Sequence, residues 1–367
     1  MISRHQIVFG NATRLDQIES NSIDLVVTSP PYPMIEMWDE SFSAQNLDIG
    51  SALGRKSGTT AFDLMHQLLD KAWAEVHRVL KPGGFACINI GDATRTINSH
   101  FGLYPNHARI LFYCLTTGLT DLPAIIWRKQ TNAPNKFMGS GMLPAGAYVT
   151  LEHEFILILR KGNKREFAAQ DEKAGRARSA LFWEERNNWF SDVWFDLKGT
   201  GQAMNHSEAR KRSGAFPFEL PYRLINMFSV RDDTVLDPFL GTGTTTLAAM
   251  ASGRNSIGVE IDSRLWAAIS QYVTTTPVDT CNAYIHRRIG NHIAFVNERL
   301  KTMGKEAVKY TNENYGFPVV TRQETNIIIN YLTDVTQASG NTILATYDER
   351  AILDYAEKGS LFAPTGG

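Results

Sequence analysis

TVLDPFLGTGTTTLAAMAS, residues 234–252, has the order of a strand, a glycine-containing turn and a helix. The first residues are apolar or β-branched, Gly241 and Gly243 follow, and an Ala- and Leu-containing run comes after them. Glycines between a strand and a helix let the backbone approach a ligand closely, and the first helical turn leaves N–H groups free. The stretch therefore predicts one β-turn-α unit of a nucleotide-binding sheet.

Apolar, strand-like segments alternate with helical patterns through most of the first 273 residues. The predicted strands are residues 22–29, 85–90, 123–127, 154–159, 234–239 and 256–261. Predicted helices include residues 62–80 and 221–228 and the segments after the last two strands. Continuous apolar runs are typical of parallel strands that are buried on both faces. The predicted class is therefore α/β, with a doubly wound, mostly parallel sheet whose ligands bind beyond the carboxyl ends of its strands.

Composition narrows the class of protein without indicating a partner. The chain has 367 residues, 43% of them hydrophobic, and a net charge of −1, so a large core is possible and overall charge does not indicate nucleic acid. Cys87, Cys114 and Cys281 lack the spacing of a disulfide framework or a zinc site, and no metal site is predicted. Because no apolar run reaches the roughly 18 residues of a membrane span, we expect a cytoplasmic protein without membrane contact.

The glycine turn departs from the two common phosphate-binding patterns. A P-loop needs a lysine at its end, and a dinucleotide fingerprint needs a third glycine where this chain has Thr246. Instead, Asp237 ends the strand, and its carboxylate would repel pyrophosphate but attract a cationic amino group. Glu260 ends the next strand, the usual place for a carboxylate that binds ribose hydroxyls. A ligand with a ribose, a cationic amino-acid tail and no phosphate suggests S-adenosylmethionine.

A second unusual stretch is VVTSPPYPMI, residues 26–35, in which an apolar strand ends in Ser29, Pro30, Pro31 and Tyr32. The two prolines fix their own φ angles and remove two N–H donors. They also keep the preceding residue extended. The result is a stiff corner with free carbonyl oxygens beside an aromatic ring, which indicates a structural or chemical use.

Together these motifs resemble those of S-adenosylmethionine-dependent DNA amino-methyltransferases of the β class, in which the catalytic motif precedes the cofactor motif. The matching segments span most of residues 1–273: TSPPY (28–32), RVLKPGGF (78–85), FPFELP (216–221), VLDPFLGTGTT (235–245) and GVEID (258–262). SPPY or DPFLGTGT alone would be a weak signal. The two motifs in this order, each after a predicted strand, are a strong signal. The resemblance implies a Rossmann-like methyltransferase sheet with an inserted recognition region and a C-terminal extension.

The resemblance also implies which residues bind the cofactor. These are Asn11, Phe216, Pro217, Asp237, Phe239, Gly241, Gly243 and Glu260. Within that set, Glu260 corresponds to the ribose ligand, and the Phe-Pro pair lies near the methionine end. Asn11 stands where relatives often have the aspartate of a Gly-Asp pair that contacts the adenine; its amide can still hydrogen-bond the adenine amine.

In this family the target base is flipped out of the duplex, and its exocyclic amine attacks the methyl carbon. Such an amine is a poor nucleophile because its lone pair is delocalised into the ring. The Ser29 hydroxyl and the Pro30 carbonyl are expected to accept its hydrogens, with Tyr32 stacked on the base and the prolines holding the acceptors in line. A carbon-methylating enzyme would need a Pro-Cys nucleophile, and no cysteine here follows a proline.

The target base is predicted from the same motifs. In the family, SPPY favours the N4 amine of cytosine, whereas DPPY or NPPY favours the N6 amine of adenine. The segment AFPFELP, residues 215–221, also resembles the cytosine branch. Some adenine enzymes carry serine at the first position, so N6-adenine methylation stays an alternative.

The resemblance divides the chain into four parts. Residues 1–162 form the catalytic half, 163–205 a target-recognition region, 206–273 the cofactor-binding half and 274–367 a largely helical-looking extension of unassigned role. In the recognition region, four arginines are candidate contacts to DNA phosphates or bases, namely Arg165, Arg176, Arg178 and Arg186. The extension could contribute to recognition, form a dimer surface or brace the sheet.

The expected setting is bacterial restriction–modification, with duplex DNA as substrate, a cognate restriction endonuclease as a possible partner, and a monomer or homodimer as the assembly. Two rival functions remain. One is a catalytically silent DNA-binding protein on the same scaffold, and the other is methylation of an RNA or a small molecule. The intact pair of motifs argues against silence, and the Arg- and Trp-containing insertion argues against a small substrate.

Overall fold

The computed structural model describes residues 1–129, 138–197, 216–275 and 277–353. Its strands are β1 Ile2–Phe9, β2 Ile23–Thr28, β3 Leu80–Ile90, β4 Ala93–Ile97, β5 His100–Tyr104, β6 Leu119–Arg128, β7 Met138–Gly139, β8 Ala147–Tyr148, β9 His153–Lys161, β10 Val193–Trp194, β11 Thr234–Asp237, β12 Asn255–Glu260, β13 Tyr310–Thr311, β14 Pro318–Val319, β15 Leu332–Gln337 and β16 Thr342–Tyr347. Its α-helices are α1 Asp39–Gln45, α2 Leu47–Gly54, α3 Gly58–Val79, α4 Asn106–Thr116, α5 Gln170–Arg178, α6 Trp183–Trp189, α7 Glu219–Phe228, α8 Thr244–Ala251, α9 Trp266–Thr274 and α10 Pro277–Met303.

Ten of these strands form one twisted sheet in the order β10-β6-β9-β3-β2-β11-β12-β1-β16-β15. The five central strands, β3 to β1 in that order, are mutually parallel. On one flank β9 runs antiparallel to β3 and to β6, and on the other flank β16 runs antiparallel to β1 and to β15. The predicted α/β class with a doubly wound, mostly parallel sheet is confirmed, and every predicted strand occurs.

The order of the strands creates a switch point between β2 and β11. The chain leaves β2 toward β3 on one side and leaves β11 toward β12 on the other, so the two following loops diverge at the same sheet edge. The register aligns Leu25 with Val235 and Val26 with Leu236. Crevices at such points are where ligands bind in open α/β sheets. Two motifs about 200 residues apart in sequence are thus brought side by side.

Two apolar layers cover the sheet. All six residues of β2 are buried, as a strand covered on both faces requires. On one face, α3 presents Met65, Leu69, Trp73 and Val76 at helical spacing, all buried. The opposite face is covered by α7, α8 and part of α10. The apolar residues whose spacing predicted a helix over residues 62–80 therefore form the face of α3 that packs on the sheet.

The Lys-Pro-Gly-Gly segment after α3 is a tight connection. The helix ends at Val79 and β3 begins at the next residue. Gly83 has a φ of +84°, and a Cβ on Gly84 would lie 2.8 Å from the Asp24 carbonyl oxygen of β2. These glycines let β3 approach β2 at the start of their pairing, which explains why the segment reads as a helix stop followed at once by a strand.

Three parts of the sheet were absent from the sequence prediction: β1, the two-residue strand β10 and the pair β15–β16. Strand β1 was not predicted because its residues alternate between exposed and buried up to Ile7 instead of forming an apolar run. The C-terminal extension was expected to be largely helical, but only its first part is the long helix α10. Its later part forms the antiparallel pair β15–β16, which pairs with β1 and extends the sheet.

Part of the predicted recognition region packs against that C-terminal extension. The Arg288 guanidinium of α10 donates to both carboxylate oxygens of Glu185 in α6. Trp183 of α6 stacks on Phe295 of α10, with ring centroids 5.6 Å apart. Residues 198–205 of the predicted region lie outside the described residues. In the described part, α6 and α10 pack against one another, and the role of the extension stays a prediction.

Within the described ranges, no helix combines the length and the apolar character needed to cross a membrane.

We expect Gly84→Ala to destabilise the protein by about 1–3 kcal/mol, because the new methyl group would collide with backbone that cannot rotate away. Urea unfolding at constant m-value measures this change. Gly175→Ala is the matched control, since it lies within α5 with no atom within 4 Å of the added Cβ. That control should gain about 0.5–1 kcal/mol. Equal unfolding midpoints for Gly84→Ala and the wild type would contradict this packing of β3 on β2.

Candidate active site

A cavity of about 290 Å³ opens at the switch point between β2 and β11. Both unusual loops of the sequence contribute to its wall. Its lining residues are Ser29, Pro30, Tyr32, Ile35, Met37, Trp38, Lys129, Glu154, Phe216, Asp237, Phe239, Leu240, Gly241, Thr242, Thr244, Thr245 and Leu265. The wall is largely apolar with a few convergent polar groups, the usual character of a small-molecule site.

Asp237 links the two halves of this site. One carboxylate oxygen accepts a hydrogen bond from the Thr28 hydroxyl at 2.6 Å, and the other accepts from the Thr245 hydroxyl at 2.6 Å. The backbone N–H of Phe239 donates to the first oxygen at 3.1 Å. Burial raises the pKa of Asp237 to about 6, while these three donors favour the charged form and limit the rise. The carboxylate is thus a buried acceptor shared by β2, the glycine loop and α8.

The glycine loop takes a shape that other residues rarely adopt. Gly241 has a φ of +56° and Gly243 a φ of +94°. Glu260, at the end of β12, accepts the Gly241 N–H at 2.9 Å and the Asp262 N–H at 3.0 Å. Burial raises the pKa of the Glu260 carboxyl, and the two N–H donors oppose that rise. Glu260 therefore holds the loop in place from the neighbouring strand.

The Ser-Pro-Pro-Tyr corner places two hydroxyls next to each other. The Ser29 hydroxyl donates to the Tyr32 phenol oxygen at 3.1 Å, so its own lone pairs remain available as acceptors. The Tyr32 ring lies against Gly91, where an added Cβ would be 3.0 Å from the ring. The amide of Asn106 donates to the Pro33 carbonyl and fixes the chain after the corner.

Three polar side chains at this corner were missed from the sequence. The Tyr32 hydroxyl donates to Glu154 at 2.8 Å, and the Asn89 amide donates to both the Tyr32 oxygen and the Glu154 carboxylate, at 2.9 and 2.7 Å. Lys129 donates to the other Glu154 oxygen at 2.7 Å. Glu154 opens a strand that reads as apolar, and only the antiparallel register of β9 beside β3 and β6 brings it to Asn89 and Lys129.

Ten of the twelve predicted cofactor and catalytic residues line this cavity or are chain neighbours of a lining residue, and the exceptions are Asn11 and Glu260. Those that line it are Ser29, Pro30, Tyr32, Phe216, Asp237, Phe239 and Gly241. Pro31, Pro217 and Gly243 are chain neighbours of lining residues. Asn11 lies one strand beyond Glu260, because the Gly10 N–H donates to the Glu260 carbonyl at 2.9 Å. The Asn11 amide donates to Gln45 at 2.9 Å, so this side chain is fixed in place at the carboxyl edge of the sheet.

The four predicted DNA-contacting arginines are not brought to the cavity. Arg165 donates to Asp233 at 2.8 Å, just before β11, at the amino edge of the sheet. Arg176 lies over the same Phe167 ring as Arg165. These two side chains lie away from the cavity, since the chain leaves β9 at the opposite edge of the sheet, and their contact with DNA stays a prediction.

The other two arginines lie in the same neighbourhood. The Arg178 carbonyl accepts the Ile328 N–H of the C-terminal extension at 3.0 Å. Arg186 covers the Phe190 ring, which contacts Phe228 at the end of α7, ahead of β11. Neither side chain lines the cavity, and their contact with DNA stays a prediction.

A different insertion emerges at the cavity edge. Strand β6 ends and β9 begins there, beside Lys129 and Glu154, and residues 138–152 lie between them. Tyr148 of this insertion stacks on Phe101 of the β4–β5 hairpin, with ring centroids 4.7 Å apart. Met142 and Val149 are 86% and 91% exposed. The insertion and the hairpin therefore contact each other on the cavity side of the sheet.

Comparison with known proteins agrees with this geometry. A model of the N6/N4 DNA methylase family, described as DNA methylase, matches residues 23–271. The Type II methyltransferase M.MthZI of Methanothermobacter thermautotrophicus is 50% identical over 350 residues, covering 95% of this chain and 96% of that protein. M.MjaI of Methanocaldococcus jannaschii, also a Type II methyltransferase, is 50% identical over 282 residues, covering 74% and 91%.

Solved structures show the same fold. A structure described as a putative DNA modification methylase of Thermus thermophilus, in complex with S-adenosyl-L-methionine, is 31% identical with a TM-score of 0.57, covering 73% of this chain and 94% of that chain. The PvuII DNA methyltransferase, described as cytosine-N4-specific, is 18% identical with a TM-score of 0.51, covering 76% and 92%. The resemblance identified from the motifs is confirmed: this chain belongs to the N6/N4 DNA methylase family.

Proposed function

We propose that this protein transfers a methyl group from S-adenosylmethionine to the N4 amine of cytosine in duplex DNA. The observation that carries the proposal is the position of the Ser29 hydroxyl. It lies in the wall of the same cavity as Asp237 and Gly241, and it donates its hydrogen away to Tyr32. A free acceptor thus faces the space in which a cofactor and a base would meet.

The residues present fit S-adenosylmethionine, which when bound supplies a methyl group on a cationic sulfur. Among the described residues, no atom lies within 4 Å of a Cβ added to Gly241, so the loop leaves open space where a ligand can approach the backbone. Asp237 offers a buried carboxylate to the cationic amino group. Glu260 would bind ribose hydroxyls, Asn11 the adenine, and Phe216 with Pro217 the methionine end. The lack of any lysine in the loop fits a ligand without phosphate.

The corner would activate the base amine by accepting its hydrogens. A hydrogen bond from the amine to the Ser29 oxygen, and a second to the Pro30 carbonyl, draw the nitrogen toward a pyramidal geometry in which its lone pair points at the methyl group. The prolines hold both acceptors without induced movement, which is the positioning contribution to the rate. The apolar wall formed by Ile35, Met37 and Trp38 would exclude water around the base.

The choice of cytosine rests on the corner and on the Phe216–Pro217 segment. Serine at the first position and AFPFELP at residues 215–221 both resemble the cytosine branch of the family. N6-adenine methylation is the second candidate, because the same acceptor pair could hold an adenine amine. The relatives named Type II methyltransferases favour a modification role beside a restriction endonuclease.

The insertion at residues 138–152 is the best-placed described segment for contact with DNA flanking the target base. It lies on the cavity side of the sheet, whereas the four arginines of the predicted recognition region do not. Its exposed apolar side chains at Met142 and Val149 are suited to the space that a flipped base leaves in the stack.

The direct test is product analysis. The protein is incubated with tritiated S-adenosylmethionine and unmethylated genomic DNA, and the DNA is digested to nucleosides. We expect label in N4-methylcytosine. Label in N6-methyladenine would show that the target base is adenine and would leave the proposed mechanism unchanged. Absence of label in either nucleoside would overturn the proposed activity.

We expect Ser29→Ala to lower the single-turnover rate of methyl transfer by about 10²-fold, because it removes one preorganised acceptor for the amine. Binding of S-adenosylmethionine, measured by calorimetry, should be unchanged. Ser51→Ala is the control, since that exposed hydroxyl on α2 lies outside the cavity wall and donates to the Leu47 carbonyl. Full activity of the Ser29→Ala variant would show that the Ser29 hydroxyl is not the acceptor for the amine.

Asp237 predicts a pH dependence of cofactor affinity. Its raised pKa of about 6 means that the carboxyl is ionised above pH 6 and becomes neutral below it. A cationic amino group favours the ionised form, so the dissociation constant should rise about tenfold for each pH unit below 6. Asp237→Asn should bind weakly and nearly independently of pH between about 5 and 7. Asp63→Asn on the exposed face of α3 is the control; a pH profile in Asp237→Asn identical to that of the wild type would refute the assignment.

A further inference from the structure

We propose that Glu154 receives the proton that the base amine loses during methyl transfer, through the hydroxyls of Tyr32 and Ser29. The inference rests on the proposed function and adds a proton path to it. Methyl transfer breaks the sulfur–methyl bond, whose electron pair stays on sulfur, and forms a nitrogen–methyl bond from the amine lone pair. The nitrogen then carries a positive charge and must release one of its two hydrogens as a proton.

The three side chains form a continuous series from the cavity to a carboxylate. The Ser29 hydroxyl donates to the Tyr32 oxygen at 3.1 Å, and the Tyr32 hydroxyl donates to Glu154 at 2.8 Å. Both hydrogen bonds point the same way, away from the place of the base. A proton accepted by the Ser29 oxygen can therefore displace the serine hydrogen onto tyrosine and the tyrosine hydrogen onto Glu154. One N–H bond breaks, one carboxyl O–H bond forms, and each hydroxyl ends with one hydrogen.

The surroundings of Glu154 are those of an ionised carboxylate. Three different groups donate to it: the Tyr32 hydroxyl, the Asn89 amide and the Lys129 ammonium. Only an ionised carboxylate accepts at both oxygens without a hydrogen of its own to place. The Lys129 charge stabilises the anion although Glu154 is only 8% exposed. The carboxylate thus accepts the last hydroxyl of the series at one of its oxygens.

The Tyr32 phenol is suited to accept one proton while it donates another, so that it stays neutral. Burial, and then the nearby Glu154 charge, raise the pKa of its phenol well above the ordinary value. The phenol therefore stays protonated between turnovers. Stacking of the Tyr32 ring on the base would not use the hydroxyl. That hydroxyl accepts a hydrogen bond from Ser29 and donates one to Glu154.

Alternative acceptors at the corner are weaker. The Pro30 carbonyl can accept a hydrogen bond but is an amide oxygen with negligible basicity at neutral pH. Asp237 also lines the cavity, but it lies on the cofactor side, and the described hydrogen bonds to its oxygens come from Thr28, Thr245 and Phe239 and not from Ser29 or Tyr32. Glu154 is the carboxylate that the series of hydroxyls reaches.

The test uses the full-length protein, duplex DNA and S-adenosylmethionine in single-turnover reactions. The variants are Tyr32→Phe, which keeps the ring, Glu154→Gln, which keeps the shape, and the double variant. Each single variant should lose about 10²-fold in the methyl-transfer rate, and the double variant should lose no more than either. Affinities for DNA and S-adenosylmethionine should stay within about twofold. Glu19→Gln, at an exposed position before β2 and outside the proposed site, is the control and should keep the wild-type rate.

Rates in mixtures of H₂O and D₂O separate a proton path from a structural role. The wild type should show a solvent isotope effect with a curved dependence on the deuterium fraction, and Glu154→Gln should show a smaller effect without curvature. Wild-type rates in Glu154→Gln, additive losses in the double variant, or unchanged curvature would each overturn the inference while leaving methyl transfer intact. Failure of the wild type to label DNA would instead overturn the proposed function.

Discussion

The parallel pairing of β2 with β11 is the constraint on which the site depends. Its register sets Thr28 beside Asp237, and the 2.6 Å hydrogen bond between them joins two loops that are far apart in sequence. A register shift of one residue would turn Thr28 to the opposite face of the sheet and leave Asp237 with one donor fewer in a buried place. The separation between the acceptor corner and the cofactor loop is therefore determined by backbone hydrogen bonds, which are among the stiffest elements of a protein.

Much of this arrangement could be predicted because it is encoded locally. Continuous apolar runs predicted the parallel strands, and the glycines at 241 and 243, both left-handed in the structure, predicted the ligand loop. The corner at Ser29 was recognisable because two prolines restrict the backbone whatever surrounds them. The site residues on these two loops consequently lie together as the motifs require.

What could not be predicted depends on long-range pairing. Glu154 and Asn89 meet only because β9 runs antiparallel to β3, and nothing in an apolar strand pattern states its direction. The direction of β9 also determines where the four arginines lie. Since β9 runs away from the cavity, residues that follow it emerge at the opposite edge, where Arg165 pairs with Asp233. Strand β1 escaped prediction because it is not an apolar run, and its pairing with β16 from the far end of the chain leaves no local signal.

The pairing of β16 with β1 has a consequence for the integrity of the adenine side of the site. Without the C-terminal hairpin, β1 would present a row of unpaired N–H and C=O groups, a template to which strands of other molecules can add. The same strand pairs on its other side with β12, which ends in Glu260, and leads directly into Asn11. The hairpin thus covers the edge of β1 that would otherwise be open. Loss of the chain beyond residue 331 would endanger solubility and the shape of the nucleoside pocket together, although no residue of that hairpin lines the cavity at the switch point.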